Sequence, residues 1–166
     1  MTYFSNLVTP IGPLLFVSHD SAESLTGLYM QDQASAPQHD PDWIEDDARF
    51  VAARGQLAEY FAGTRTSFDL SLAPIGTPFQ QRVWSALAAI PFGETVSYVE
   101  LARRIGMPTG SRAVGHANAR NPISIVVPCH RVIGSDGSLT GYAGGAERKR
   151  WLLDWENQVT QRPTNA

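Results

Sequence analysis

Cysteine is scarce in this chain, which contains a single one, Cys129, among 166 residues. One cysteine excludes an internal disulfide framework and any zinc site built on a cysteine pair. Three of the four histidines, His19, His39 and His116, are scattered along the chain without metal-ligand spacing. We therefore predict neither a bound metal nor an oxidising compartment.

Long apolar runs are also lacking. No stretch approaches the ~18 consecutive apolar residues that a membrane helix needs, and the N-terminus has no positive region followed by an apolar segment. The content of 43% hydrophobic and 17% charged residues is that of an ordinary globular protein with one good core or two small ones. We expect a cytoplasmic protein with no membrane partner.

Acidic side chains are absent between Leu101 and Ser135, although the whole chain has a formal net charge of -3. Residues 1–75 hold ten acids against three arginines, whereas residues 76–166 hold ten Lys/Arg against six acids. The acid-free window contains Arg103, Arg104, Arg112, Arg120 and Arg131. This asymmetry suits a polyanionic partner, although a solvated basic face would have the same composition.

The only cysteine lies in the segment Pro128-Cys129-His130-Arg131-Val132, after an apolar run at 123–127 that predicts a buried strand. A thiol beside an imidazole and a guanidinium is a plausible reactive thiolate. A lone cysteine is equally often an inert core residue. Because charged neighbours need partners in apolar packing, we expect Cys129 to lie outside the deep core. On these residues alone, both interpretations stay open.

The chain as a whole predicts an α/β protein of two domains, divided near residue 76. Residues 1–76 are expected to form a small α/β domain with an antiparallel sheet, in which 31–47 is a surface loop. Strands are expected at 3–8, 14–18 and 25–30, and the alternation of Phe68, Leu70 and Leu72 predicts another. A helix is expected at 46–62, with Phe50, Leu57 and Phe61 on its apolar face and Gly63 as its stop signal.

Residues 77–166 predict a mainly helical domain with short strands around the cysteine. Thr77 to Gln80 has the pattern of a capping box, and Ser97 to Glu100 repeats it. A helix from Ser97 through Ile105 and a second one over 111–119 would form a helix-turn-helix. The second helix is rich in small residues, namely Gly110, Ser111, Ala113, Gly115 and Ala117, and Arg112 is its main long projection. Such a surface permits close approach to a nucleic-acid backbone, or equally to another helix.

A set of motifs in fixed order between Thr77 and Glu156 resembles the O6-alkylguanine-DNA alkyltransferases. The motifs are Phe79 to Trp84, Ile90 to Thr95, Ser97-Tyr98, Ser111 to Gly115, Asn121-Pro122, Pro128 to Val132 and Gly141 to Gly145. The N-terminal third matches only loosely, through Thr9 to Leu14. The resemblance implies DNA repair by single-turnover transfer of an alkyl group to Cys129, without any cofactor.

The resemblance also implies roles for the residues around the thiol. His130, through a water, would take the thiol proton, and Glu156 would orient and polarise the imidazole. Asn121 would stabilise the turn before the active-site segment. The partner would be double-stranded DNA bearing O6-alkylguanine, and O4-alkylthymine is left open. The protein would act as a monomer, with cooperative binding along DNA left open.

Nucleotide flipping is a further implication, because a stacked base hides the atom to be attacked. Arg112 would fill the vacated stack, and Tyr98 would rotate the phosphate and donate to the departing guanine. Other expected DNA contacts are Ser111, Ala113, Gly115 and Arg131. The guanine pocket would be formed by Tyr142, the loop 134–145 and backbone groups near Val132 and Ala143.

Ala143 departs from the family pattern, since many members have serine there. Its backbone N–H is retained, but a side-chain hydroxyl is lost. The family's tolerance of bulky alkyl groups therefore does not carry over to this chain from the motif. Two alternatives remain from the residues: a lesion sensor or helix-turn-helix regulator that binds without chemistry, and a thiol hydrolase. Adjacent Cys and His are unusual in papain-like enzymes, which counts against the hydrolase.

Overall fold

The structure is a computed structural model that describes residues 1–19, 24–139 and 141–162. Position 140 of the expected guanine loop and the last four positions of the expected second domain lie outside the described residues. The predicted α/β class, with a sheet in the N-terminal part and helices in the C-terminal part, is confirmed. No helix of the described ranges is long and apolar enough to cross a membrane.

The N-terminal sheet has four strands in the order β3-β2-β1-β4. They are β1 (Thr2–Thr9), β2 (Gly12–His19), β3 (Gly27–Met30) and β4 (Ile44–Glu45). The three predicted strands are confirmed, and both of their pairings are antiparallel. The expectation that 31–47 is entirely loop is wrong, because β4 pairs in parallel with β1 and the Asp46 N–H donates to the Phe4 carbonyl at 3.0 Å.

The predicted first helix begins as a 3-10 turn (Asp47–Phe50) and continues as α1 (Val51–Ala62). It ends as predicted at Gly63, whose φ of 81° is accessible to glycine at little cost. The buried face differs from the prediction: Tyr60 is fully buried, whereas Phe61 is half-buried against Trp151.

The strand predicted at 68–72 is not formed, and a single bridge between Leu25 and Leu72 is found there. The side chain of Gln56 makes the backbone hydrogen bonds that a neighbouring strand would have made. It accepts from the Asp69 N–H and donates to the Asp69 carbonyl, both at 2.9 Å. Because these backbone groups are satisfied by a side chain, the alternating apolar pattern does not need a sheet partner.

The described residues of the C-terminal part form four α-helices and a two-stranded sheet. In chain order they are α2 (Pro78–Ala88), β5 (Val96–Ser97), α3 (Tyr98–Arg104), α4 (Ser111–Ala119), a 3-10 turn (Cys129–Arg131), β6 (Val132–Ile133) and α5 (Ala146–Thr160). The capping box of Thr77 and Gln80 is present in full, and Ser97 caps α3 through the Glu100 N–H. The predicted helix pair is confirmed as α3 and α4.

The edge of β3 connects the sheet to the segment that leads to the cysteine. The Leu28 N–H donates to the Pro122 carbonyl at 2.8 Å, and the Ser124 N–H donates to the Leu28 carbonyl at 3.0 Å. Buried side chains from both parts of the chain form one continuous apolar cluster. The N-terminal sheet therefore fixes the backbone that precedes Cys129.

Candidate active site

The segment before the cysteine is a tight turn organised by Asn121. This buried side chain accepts from the Ile123 N–H at 3.0 Å and donates to the Val127 carbonyl at 2.8 Å. The predicted strand at 123–127 is therefore wrong. Ile125 has a φ of 72°, a conformation that costs a β-branched residue on the order of 1–3 kcal/mol. The surrounding hydrogen bonds hold this strained turn in place.

Cys129 begins the 3-10 turn and is 3% exposed. The expectation that it lies outside the deep core is wrong, because its charged neighbours find buried partners. Burial raises the pKa of the Cys129 thiol to about 11, against lowering contributions from a hydrogen bond to Asn121 and from the charge of Lys149. The free protein therefore holds its nucleophile mainly as the thiol at neutral pH.

His130 is fully buried, and its Nε2 lies 2.6 Å from Oε2 of Glu156. With Glu156 ionised, the geometry assigns the proton to Nε2 and leaves the lone pair on Nδ1. Nδ1 is buried and has no hydrogen-bond partner among the residues that the structure describes. Burial lowers the pKa of His130, although the hydrogen bond and charge of Glu156 oppose that shift. The imidazole is therefore neutral and able to accept a proton.

Glu156 lies on α5 and is 1% exposed, yet its carboxylate has several hydrogen-bond donors. Besides His130, these are the Nε and Nη2 of Arg131 at 2.8 and 3.0 Å, the Tyr60 hydroxyl at 2.7 Å and the Gly93 N–H at 3.1 Å. Burial alone raises the pKa of Glu156, but the hydrogen bonds and charges of His130 and Arg131 outweigh it and hold that pKa well below its ordinary range. Glu156 is therefore an anion at any working pH.

Arg131 does not lie where a DNA-contacting residue would be. It is 5% exposed; its Nη1 donates to the Ile90 carbonyl at 2.7 Å, and its other nitrogens hold Glu156. The prediction that Arg131 contacts DNA is not supported by this geometry, because its donors already have buried partners. Its charge instead balances that of Glu156.

Lys149 is a fully buried lysine beside the thiol. Its Nζ has no hydrogen-bond partner within the described ranges and lies 5.7 Å from the ring centroid of Tyr98 and 5.9 Å from that of Tyr142. Burial lowers the pKa of Lys149 to about 8, and the charge of Cys129 as thiolate would raise it. The rings of Tyr98 and Tyr142 stabilise the ammonium, which has no oxygen partner in the part of the chain that the structure describes.

Tyr98 begins α3 and is half-buried between α4 and the loop before α5. Its ring would contact a Cβ at Gly115 at 3.5 Å, and its hydroxyl lies 3.0 Å from the Cβ that a side chain at Gly141 would have. Asn118 binds the Tyr98 hydroxyl and donates to the Cys129 carbonyl at 3.4 Å. Gly115 therefore faces Tyr98, and the two predicted site tyrosines lie near the thiol.

The residues expected to form a guanine pocket lie at different depths below the protein surface. Tyr142 and Ala143 line a cleft of about 780 Å³ together with Gly141, Ala34 and Ser35. Val132 is fully buried in β6, and its N–H is engaged by the Cys129 carbonyl. The cleft is therefore bounded by the 141–143 loop and by the N-terminal segment at 34–35, which the sequence did not indicate.

The expected DNA-contacting face is the exposed side of α4. Arg112 and Ala113 are exposed, and Ser111 is partly exposed. Of the other arginines in the acid-free window, Arg103 and Arg104 are exposed but form ion pairs with Glu100, and Arg120 is exposed. The positive surface predicted from composition is thus present, with Arg131 removed from it.

Sequence reasoning missed three residues of this site: Tyr60, Asn118 and Lys149. Lys149, Leu152 and Glu156 are the buried residues of α5, at intervals of three and four. A lysine in the apolar positions of a helix was the signal that could have identified Lys149. No local pattern pointed to Tyr60, which lies 96 positions before Glu156.

Comparison with known proteins assigns the chain to a family over nearly its whole length. Residues 2–74 match the sequence profile of the 6-O-methylguanine DNA methyltransferase ribonuclease-like domain, and residues 78–158 match that of the DNA binding domain of the same family. The chain is 52% identical over 156 residues to the methylated-DNA–protein-cysteine methyltransferase of Mycobacterium bovis, covering 94% of this chain and 93% of that protein. Identity to the protein of the same name from Methanosarcina barkeri is 50% over 155 residues, covering 93% and 96%.

Solved structures agree with this assignment. The Mycobacterium tuberculosis protein crystallised in complex with DNA matches with a TM-score of 0.87 at 50% identity, covering 95% of this chain and 94% of that one. An archaeal O6-methylguanine-DNA methyltransferase from Pyrococcus kodakaraensis shares the fold, with a TM-score of 0.63 at 23% identity. The chain belongs to the 6-O-methylguanine DNA methyltransferase family, and the resemblance predicted from its motifs is confirmed.

Alkylation of the only cysteine by iodoacetamide tests the electrostatics of the thiol. Because its pKa is raised to about 11, we expect the wild-type rate to rise about tenfold per pH unit up to pH ~10 without a plateau. Lys149→Met removes a positive charge that is present below its pKa of about 8. This variant should react several-fold more slowly at about pH 7 and like wild type at about pH 9. Arg150→Met, at an exposed neighbouring position, is the control; a wild-type plateau below pH ~8 would contradict this account.

Replacing Arg131 tests whether it is a structural counter-charge. Arg131→Lys keeps the positive charge but loses the bidentate hydrogen bonds to Glu156 and the hydrogen bond to the Ile90 carbonyl. We expect the free energy of unfolding to fall by about 3 kcal/mol in urea titrations. Arg120→Lys, on the surface, should change it by less than about 0.5 kcal/mol. Equal stability of the two variants would show that the buried pair contributes nothing.

Proposed function

We propose that this chain repairs DNA by transferring the alkyl group of an O6-alkylguanine to Cys129, once per molecule. The observation that carries the proposal is the single cysteine followed by a neutral, buried imidazole whose Nε2 is bound by Glu156 at 2.6 Å. This is a nucleophile, a base and a residue that orients the base. The names of the relatives describe methylated DNA as alkyl donor and a protein cysteine as acceptor.

The transfer proceeds by direct displacement. Nδ1 of His130 takes the thiol proton through a water, and the sulfur of Cys129 attacks the alkyl carbon. The S–C bond forms as the C–O6 bond breaks, and both electrons of the broken bond leave with guanine. Tyr98 hydrogen-bonds the guanine ring and stabilises the guanine anion that departs, and this anion then takes a proton from water to become guanine in the DNA. The thioether on Cys129 is stable, so no second turnover follows.

The buried site disfavours a thiolate, so Cys129 becomes nucleophilic only as its proton is transferred away. A pKa of about 11 leaves little thiolate at neutral pH, so proton transfer to His130 must accompany attack. The charge of Lys149 lowers the pKa of Cys129 and therefore stabilises the developing thiolate. Lys149 lies against Tyr98 and Tyr142, so the same charge is close to the base that leaves.

Duplex DNA binds across the exposed face of α4 in this proposal. Arg112 projects from the start of α4 and occupies the stack that the flipped nucleotide leaves. The flipped base enters beside Tyr142 and Ala143 and passes inward to the buried thiol of Cys129, and the Ala143 N–H donates to O6. Support comes from the related Mycobacterium tuberculosis protein, which has been crystallised in complex with DNA.

The active unit is a monomer with a scaffold at 1–76 and an acceptor domain at 77–166.

Intact-protein mass after incubation with a duplex containing one O6-methylguanine tests the proposal. We expect one added methyl group per protein, mapped to Cys129, with the methyl lost from the DNA. Cys129→Ser should show no added mass while duplex affinity stays within about threefold. An unmodified duplex is the control. Binding of the lesion without any mass change in the wild-type protein would instead leave a lesion sensor.

Arg112→Ala tests the flipping step. Removing the side chain should slow methyl transfer from duplex DNA by about 10- to 100-fold, because a vacated stack then costs a few kcal/mol without compensation. Transfer from a single strand, where the base is already unstacked, should change by less than about threefold. Arg103→Ala, which removes an exposed arginine of α3, is the matched control for lost charge. Equal slowing on both substrates would refute the role of Arg112.

A further inference from the structure

Tyr60 connects the N-terminal part of the chain to the proposed catalytic carboxylate. It lies on α1, and its side chain is fully buried. Its hydroxyl donates to Oε2 of Glu156 at 2.7 Å, and the same oxygen faces Nε2 of His130 at 2.6 Å. Tyr60 and His130, one from each half of the protein, therefore donate to the same carboxylate oxygen, which also accepts from Nη2 of Arg131 at 3.0 Å.

The surroundings of Tyr60 fix the position of its hydroxyl oxygen. Its ring packs against Phe61, Phe68 and Phe92, with centroid distances of 5.1, 5.7 and 6.0 Å. Its backbone carbonyl accepts from Nε1 of Trp155 at 3.0 Å. Trp155 and Glu156 are adjacent on α5, so Tyr60 is joined to that helix at both its main chain and its side chain. The ring, and with it the hydroxyl oxygen, cannot move away from Glu156 without disturbing this packing.

We propose that Tyr60 is a positioning residue for the proton transfer: its hydroxyl holds Oε2 of Glu156 against His130 and reduces the basicity of that oxygen. The proposal rests on the proposed function. It assigns a chemical contribution to the N-terminal part, whose described residues place no nucleophile or base in the site.

The hydroxyl acts as a donor at any working pH. Burial first, and then the charge and hydrogen bond of Glu156, raise the pKa of Tyr60 well above its ordinary value. The other charged or titratable groups that face this network are Arg131 and Tyr142 around Tyr60, and Arg131 and Lys149 around His130. None of them takes the place of the Tyr60 hydroxyl, because Arg131 already donates to Oε2 through Nη2 at 3.0 Å.

The direction of the effect follows from the shared oxygen. When Tyr60 donates to Oε2, part of the negative charge is neutralised, and the oxygen attracts the proton of His130 less strongly. Without that donor, the carboxylate stabilises the imidazolium more, and the pKa of His130 rises. A larger share of His130 is then protonated at a given acidic pH and cannot accept the thiol proton.

Tyr60→Phe keeps the ring and removes only the hydroxyl. We expect the His130 titration, followed by NMR of the imidazole in the free protein, to move up by about one pH unit. The acid limb of the methyl-transfer rate should move up equally, so that the rate on that limb falls about tenfold. Tyr29→Phe, which removes a half-buried phenol hydroxyl from β3, is the matched control and should move neither curve.

Two further variants separate positioning from packing. In a Glu156→Gln background, Tyr60→Phe should have no additional effect on the pH dependence, because the oxygen it tunes is no longer charged. Replacing Tyr60 by 3-fluorotyrosine keeps the fold and makes the phenol more acidic, so the His130 titration should move down. This second variant tests the proposal even if Tyr60→Phe does not fold.

An unchanged His130 titration in Tyr60→Phe, or in the 3-fluorotyrosine protein if the former does not fold, would overturn the proposal. So would an effect of equal size in the Glu156→Gln background, since that is what a purely structural role gives. The titration is measured without DNA. A wild-type protein that transfers no methyl group would refute the proposed function. The effect of Tyr60 on the His130 titration could still be measured in that protein.

Discussion

Burying an isolated carboxylate costs many kcal/mol, and Glu156, at 1% exposure, is tolerated only because donors from four other residues surround it. Those donors come from α1, from the turn after α2 and from the 3-10 turn that begins at Cys129. One anion therefore fixes the relative position of these elements. The orientation of His130, and with it the direction in which Nδ1 points, depends on this set of hydrogen bonds.

The same burial that orders the site opposes the charge that the reaction needs. It raises the pKa of the Cys129 thiol and lowers the pKa values of His130 and Lys149. The resting site at neutral pH is thus a protonated thiol beside a neutral imidazole, with Glu156, Arg131 and the Lys149 ammonium as its charged groups. Such a site protects its only nucleophile from other alkylating agents and reacts when a positioned substrate and a proton acceptor are both available.

Local sequence signals predicted the parts of the fold that local physics controls. The capping residues Thr77 and Ser97 and the stop at Gly63 were found because each acts through its immediate neighbours. The predicted strands at 68–72 and 123–127 failed because the side chains of Gln56 and Asn121 satisfy the backbone there. Motif order identified Cys129, His130 and Glu156, but the burial of Arg131 and the contribution of Tyr60 depend on contacts between distant segments.

The pH dependence of single-turnover methyl transfer by Glu156→Gln tests the central claim most directly. Folding of the variant is checked by circular dichroism, and its duplex affinity by anisotropy. The account predicts a rate at neutral pH at least about 100-fold below wild type, with affinity for the O6-methylguanine duplex within about threefold. A folded Glu156→Gln protein that transfers the methyl group at the wild-type rate would contradict the claim that this carboxylate organises the site.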